Sequence, residues 1–241
     1  MSADKPLSVD KSLAVDTPIE KAIDAYLDQV AGLLMMMPRE PLRRTFQRLQ
    51  EAQRLGQKVF ICGNGGSAAT ATHFACDLAK GTLAPNRPRL KVMSLCDNVS
   101  LLTAWANDVS YDEVFAENGA AWMEAGDVLV AISGSGNSRN VLRAVSLARA
   151  VGATTIGFVG SSGGRLKDRV DICVRVPGGC LEQVEDIHLV VCHLLALCLR
   201  SLPAGAAPSP LEPAGAGAGL RSAESVESEA LVEGVRVNLE R

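Results

Sequence analysis

Residues 58–68, Lys58-Val59-Phe60-Ile61-Cys62-Gly63-Asn64-Gly65-Gly66-Ser67-Ala68, read as a short strand, a turn of small residues and the first turn of a helix. The strand is apolar without a break, where a strand with one wet face would alternate. The same arrangement recurs at Val128–Ile132, which runs into Ser133-Gly134-Ser135-Gly136-Asn137-Ser138. Further β-rich runs occur at Leu90–Leu95, Thr154–Val159 and Ile172–Val176. The stretches between them predict helices over 67–80, 99–106, 112–124, 138–151 and 163–168, and a last helix spans Leu181–Leu199. Alternating strands and helices, with strands apolar on both faces, define an α/β domain over 57–200. Its expected architecture is a doubly wound parallel sheet.

The flanks read differently. Thr17-Pro18-Ile19-Glu20 combines an N-cap Thr, a Pro at the first helical position and a Glu at the third, a strong helix start. Ile19, Ile23, Tyr26, Leu27, Val30 and Leu34 follow at helical spacing. Pro38 and Pro41 break the run, and a second helix carries Leu42, Phe46, Leu49 and Leu55 to Gly56. Two helices ahead of any strand must bury their apolar faces on the later domain or on another subunit. The Met35-Met36-Met37 run reads as adaptable packing. Residues 1–16 are polar and aperiodic, an expected loose arm. In 203–219, fourteen of 17 residues are Ala, Gly or Pro, too little side chain to offset ordering entropy; 201–241 is therefore expected to be a largely disordered tail.

Composition narrows the function classes. Lys and Arg number 24 against 27 Asp and Glu, a net charge of −3 without a basic run, so no nucleic-acid or anionic-membrane footprint is visible. The seven cysteines include no C-x-x-C pair and sit mostly in apolar runs, as thiols that pack rather than cross-link. The first residues hold no apolar secretory segment, and Ile187–Leu199 is too short to span a bilayer. A reducing cytoplasm and no membrane association are the expectations.

In a doubly wound sheet, ligands bind beyond the carboxyl ends of the strands. Both loops there are small, carry hydroxyls and amides, and enter helices. Glycines let the backbone approach an anion, and a helix N-terminus offers free N–H groups with the positive end of the dipole. Two such loops on one crevice suit a ligand with a phosphate and several hydroxyls. Gly63-x-Gly65-x-x-Ala68 also fits a dinucleotide fingerprint, but the acidic residue after the second strand, Asp97, lies 29 positions beyond Ala68, where about 20 beyond the loop is usual. A nicotinamide oxidoreductase would leave the serine loop unused, and the absence of G-x-x-x-x-G-K excludes a P-loop.

The string Gly63–Ala68 with His73, then Trp105-Ala106-Asn107-Asp108, Ile132-Ser133-Gly134-Ser135-Gly136-Asn137-Ser138, and Ile187-His188 with His193 resembles the sugar isomerase (SIS) domain, in its phosphoheptose isomerase branch. The resemblance runs over about 17–200. It implies a flavodoxin-like five-stranded sheet, a homotetramer built through the two N-terminal helices (making 17–56 an oligomerisation segment), sites between subunits, and interconversion of sedoheptulose 7-phosphate with D-glycero-D-manno-heptose 7-phosphate. By position, Ser133, Gly134, Ser135 and Ser138 would hold the phosphate. Asn64, Gly65, Gly66, Ser67, Asn107 and Asp108 would contact the sugar.

The branch carries a His and, four residues on, a Glu on one helix, with a Gln and, eight residues on, a His on another, for zinc and proton transfer. This chain has His73, Asp77, Glu185 and His193 there, so Asp replaces Glu and Glu replaces Gln. Two imidazoles and two carboxylates form a plausible zinc set of neutral total charge, with Asp77 and Glu185 also within the implied substrate site. Asp77 and His193 are the expected acid and base of an enediol isomerisation. His188 has no matched role and is expected to pack, and Cys76 and Cys192 point off the ligand faces. The resemblance leaves a second reading open, a non-catalytic SIS adaptor of the replication initiator or a sugar-phosphate sensor.

Overall fold

The computed structural model describes residues 17–202; the expected arm 1–16 and the expected tail from 203 onward lie outside the described residues. In chain order the elements are α1 (Pro18–Met36), α2 (Arg39–Leu55), β1 (Lys58–Cys62), α3 (Gly66–Cys76), β2 (Lys91–Ser94), α4 (Val99–Asp108), α5 (Val114–Ala120), β3 (Val128–Ser133), α6 (Arg139–Val151), β4 (Thr154–Val159), β5 (Ile172–Arg175) and α7 (Leu181–Arg200). The strands form one sheet in the order β2-β1-β3-β4-β5, every pairing parallel. That is the flavodoxin-like doubly wound order, whose direction of winding reverses between β1 and β3. The crevice at that reversal is where the Gly63–Ala68 and Ser133–Ser138 loops emerge.

The apolar runs divide between two cores. Val59 and Ile61 point to one face, with Phe74, Leu49, Ile187 and Leu195 from α3, α2 and α7. Phe60 and Cys62 point to the other, with Phe115 and Val145 from α5 and α6. All six residues of β3 are buried, as a central strand covered on both sides requires.

The helix signals of the N-terminal segment hold. Thr17 Oγ1 accepts from the Glu20 amide at 3.3 Å and the Thr17 amide donates to Glu20 Oε2 at 2.7 Å, while α2 stops at Gly56 with φ 66°, in the left-handed region glycine tolerates. α2 packs on α7, β1 and β5, and α1 packs on α7. Arg48, buried in α2, donates to Thr154 Oγ1, Gln57 Oε1 and Gly126 O. This fastens α2 to the end of the sheet opposite the crevice. Ile19, Ile23 and Leu27, at four-residue spacing, remain exposed along α1.

Three expectations need correction. Residues 163–168 form turns, not a helix, because Gly163 and Gly164 adopt φ 70° and 51°, outside the right-handed helical region. The expected helix over 67–80 is α-helical to Cys76 and then passes into a π-helical turn, Asp77–Gly81. The expected helix over 112–124 shrinks to α5.

Candidate active site

Glycine at position 63 is required by close approach, since a Cβ there would lie 2.6 Å from the Ser67 carbonyl oxygen. The turn that follows places Asn64 opposite Asn140, the second residue of α6. Each amide donates to the other's carbonyl oxygen, at 2.8 and 2.9 Å. Asn64 Oδ1 also accepts from the Tyr111 hydroxyl at 2.9 Å, and Asn140 Oδ1 from the Val141 amide at 2.9 Å. The two loops are thus joined side chain to side chain across the sheet's reversal point. Neither Asn140 nor Tyr111 is among the residues expected from the sequence. Asn140 had a signal: it occupies the buried stripe of α6 with Ala144 and Ala148, where a polar side chain must find partners.

The serine loop is held from behind. Ser133 Oγ and Ser138 Oγ lie 3.2 Å apart, and Ser133 Oγ accepts from the Gly136 amide at 3.2 Å. Gly136 has φ 64°, and its carbonyl accepts from the Leu166 amide at 2.9 Å, while Gly134 O accepts from the Gly160 amide at 3.0 Å. Ser135 stands exposed, and Ser138 occupies the N-cap of α6 without bonding the helix through its side chain. The hydroxyls and leading amides of α6 form a cradle of donors suited to an anion. Asn107 and Asp108 pair with each other at 2.8 Å on the exposed end of α4.

Along the other side of the crevice, α3 and α7 lie side by side. A Cβ on Gly66, at the start of α3, would collide with the Glu185 carboxylate. Seven residues on, His73 meets His193, Nε2 to Nε2 at 2.8 Å, with the rings edge to face. The helices therefore run in the same direction, and Glu185 lies about 12 Å of helix rise before His193. Asp77, one turn past His73, puts Oδ2 at 3.3 Å from His73 Nε2 and 3.6 Å from His193 Nε2. Of the four expected metal ligands, the donor atoms of His73, Asp77 and His193 lie within 4.8 Å of one another. Glu185 stands outside that group, because its eight-residue lead carries it to the opposite end of α3.

The triad fits a metal ion on two observations. Asp77 Oδ2 is buried and makes no hydrogen bond, with the two imidazole nitrogens near it, a position a metal ion would satisfy. Two imidazoles and a carboxylate are also a catalytic zinc donor set, and tetrahedral bonds of about 2.0–2.2 Å place donor atoms roughly 3.3–3.6 Å apart. The two distances from Asp77 match this, while the imidazole nitrogens, at 2.8 Å, would have to part by some tenths of an ångström.

His188, expected to pack, is 1% exposed and lies against Phe158 with ring centroids 5.9 Å apart. Burial pushes its pKa down to about 4. Cys192 is buried and Cys76 exposed, and neither belongs to the donor cluster.

Residues 25–160 match the SIS domain family, and the chain belongs to that family. It is 46% identical over 142 residues to a phosphoheptose isomerase of Rhodospirillum rubrum, covering 59% of this chain and 75% of that one. It is 37% identical over 186 residues to one of Helicobacter pylori, covering 77% and 96%. The solved phosphoheptose isomerase of Neisseria gonorrhoeae superposes with a TM-score of 0.70 at 30% identity, over 76% of this chain and 99% of that structure.

Proposed function

We propose that the chain is an aldose–ketose isomerase that interconverts sedoheptulose 7-phosphate and D-glycero-D-manno-heptose 7-phosphate through an enediol. The observation that carries this reading is the meeting of two imidazoles and a carboxylate between α3 and α7, in a chain that also presents a serine-lined helix N-terminus at the sheet's reversal point. The triad opens on a cleft lined by Asp77, His193 and Arg200, and a site shared between subunits would bring the two together. An isomerase of this kind needs an anchor for the phosphate and, at a distance, a proton carrier with stabilisation for the oxyanion.

In this reading Ser133, Ser135 and Ser138, with the leading amides of α6, hold the phosphate, which needs no Lys or Arg when hydroxyls and a helix end serve. Gly134 keeps that loop small. Asn64, Gly65, Gly66, Ser67, Asn107 and Asp108 receive sugar hydroxyls, and the Glu185 carboxylate accepts one at the head of α3. When zinc is bound, His73, Asp77 and His193 hold it and it supplies polarisation of the sugar carbonyl. Asp77 turns Oδ2 toward the imidazoles, which leaves Oδ1 to move the proton between C1 and C2. With no metal on its Nε2, His193 is free to serve the oxygen on the other side.

The exposed Ile19, Ile23 and Leu27 support assembly through α1, and we extend the proposal to a homotetramer with sites between subunits. Among the described residues no helix is long and apolar enough to cross a membrane, and all seven cysteines are free thiols, which suits a reducing cytoplasm. The test is turnover of a panel of five- to eight-carbon ketose phosphates, with and without added zinc, followed by NMR. Conversion of the seven-carbon substrate ahead of the others is expected. Conversion of none would remove the proposal.

A further inference from the structure

Behind the serine loop, on the outer side of α6, lies a cleft of about 450 Å³ that the isomerase reading does not use. None of the loop serines lines it. Four arginines do: Arg139 and Arg143, one turn apart on α6, and Arg165 and Arg169, four apart on the turn segment that replaces the expected helix. Asp112 is the one carboxylate in the lining. It lies 3.4 Å from Arg139, and Glu113, outside the lining, lies 3.1 Å from Arg143. The guanidinium groups of Arg165 and Arg169 have no partner among the described residues. Ser146 adds a hydroxyl, and Leu142 is the sole large apolar side chain in the lining.

This concentration of positive charge is unusual in a chain of net charge −3. Like charges held together cost free energy unless something offsets them. The segment bearing the unpaired pair is also fixed through its backbone. The Arg165 amide donates to Asn137 Oδ1 at 3.0 Å, and Arg169 O accepts from Arg149 Nη1 at 3.0 Å. The side chains are therefore presented from a firm base and are free to turn toward a ligand. A guanidinium binds phosphate through two parallel N–H groups, and two pairs of arginines facing one cleft match two phosphate groups.

We propose that this cleft is a binding site for a second small molecule carrying two phosphate groups. Its lining has no aromatic side chain on which a base could stack, so the ligand is a pyrophosphate or a bisphosphorylated polyol or sugar, not a nucleobase.

Isothermal titration of the full chain at 0.15 M salt tests this with inorganic pyrophosphate as the probe and orthophosphate as its comparison. One pyrophosphate per chain is expected, bound at least about tenfold more tightly than orthophosphate. Arg165→Ala/Arg169→Ala should weaken pyrophosphate at least about tenfold, since each lost fork removes charge-assisted hydrogen bonds. Both anchoring backbone bonds survive in that variant, and Arg139→Ala/Arg143→Ala provides an independent second one. Ser135→Ala should leave pyrophosphate affinity unchanged. Absence of pyrophosphate binding at millimolar concentration would overturn the proposal. So would affinity that survives both arginine variants, or that falls with Ser135→Ala, which would place the anion in the serine loop.

Discussion

His73 and His193, separated by 120 residues of sequence, bring their Nε2 atoms within 2.8 Å of each other. Two protonated imidazoles could not approach so closely, so one ring must accept a proton or both must turn their lone pairs on a cation. With Asp77 Oδ2 beside them the second arrangement is satisfied by a divalent ion. The chain is expected to bind about one zinc, measured by titration against a chelator with metal analysis. His73→Ala or His193→Ala should abolish stoichiometric binding, and Asp77→Asn should weaken it by roughly 10²-fold or more, as loss of a charged ligand implies. Equal zinc affinity in all three variants would refute the assignment.

Catalysis depends on the same cluster. Asp77→Asn and His193→Ala should lower kcat by roughly 10²–10⁴, the usual loss on removing a general acid or base. Phosphate binding in the serine loop should persist. Turnover unchanged in both variants would contradict the proton-transfer roles.

Serine hydroxyls that bind a phosphate remote from the reacting carbons act alike on substrate and transition state. Ser135→Ala and Ser138→Ala should therefore raise KM, by about tenfold for one charge-assisted hydrogen bond, with kcat little changed. Steady-state kinetics decides, and a fall in kcat at constant KM would place these hydroxyls elsewhere.

The Asn64–Asn140 pair gives a stability prediction. Asn140→Ala strands the Asn64 amide and the Val141 N–H, at an expected cost of about 1–3 kcal/mol in urea unfolding. Asn140 is 3% exposed, so water cannot simply replace the lost partner. A change under about 0.5 kcal/mol, within the range of ordinary surface substitutions, would show that the pair does not brace the loops.

His188 predicts a pH dependence. Its pKa of about 4 in the fold lies below the ordinary 6.5, so the unfolded chain takes up the proton first as pH falls. Its stabilising contribution is complete above 6.5 and is lost between 6.5 and about 4. The pH dependence of unfolding over that window should be shallower in His188→Gln than in the unsubstituted chain. Parallel curves would contradict it.

Much of this was readable in the sequence because strand ends and glycine turns are local signals. Val59–Cys62 and the apolar Val128–Ile132 of β3 marked the sheet as two-sided, and Thr17 with Glu20 marked the start of α1 to the residue. The stretch 163–168 between two strands is not a helix, because the left-handed Gly163 and Gly164 decide the backbone. The candidate site was legible as residue types but not as groupings. His73 and Asp77 share a helix face by spacing alone, whereas their meeting with His193, and the exclusion of Glu185, depend on the shared direction and relative offset of α3 and α7. Asn140 was hidden because its partner is 76 residues away, and no periodicity reports such a pair.

In the proposed reaction a proton moves between C1 and C2 of a heptose phosphate. Incubation with sedoheptulose 7-phosphate in D₂O with zinc, read by NMR, tests it most directly. The expected result is deuterium at C2 of the aldose formed and wash-in at C1 of the residual ketose, both lost in His193→Ala. Substrate that binds and stays free of deuterium at C1 and C2, with no aldose formed, would contradict it.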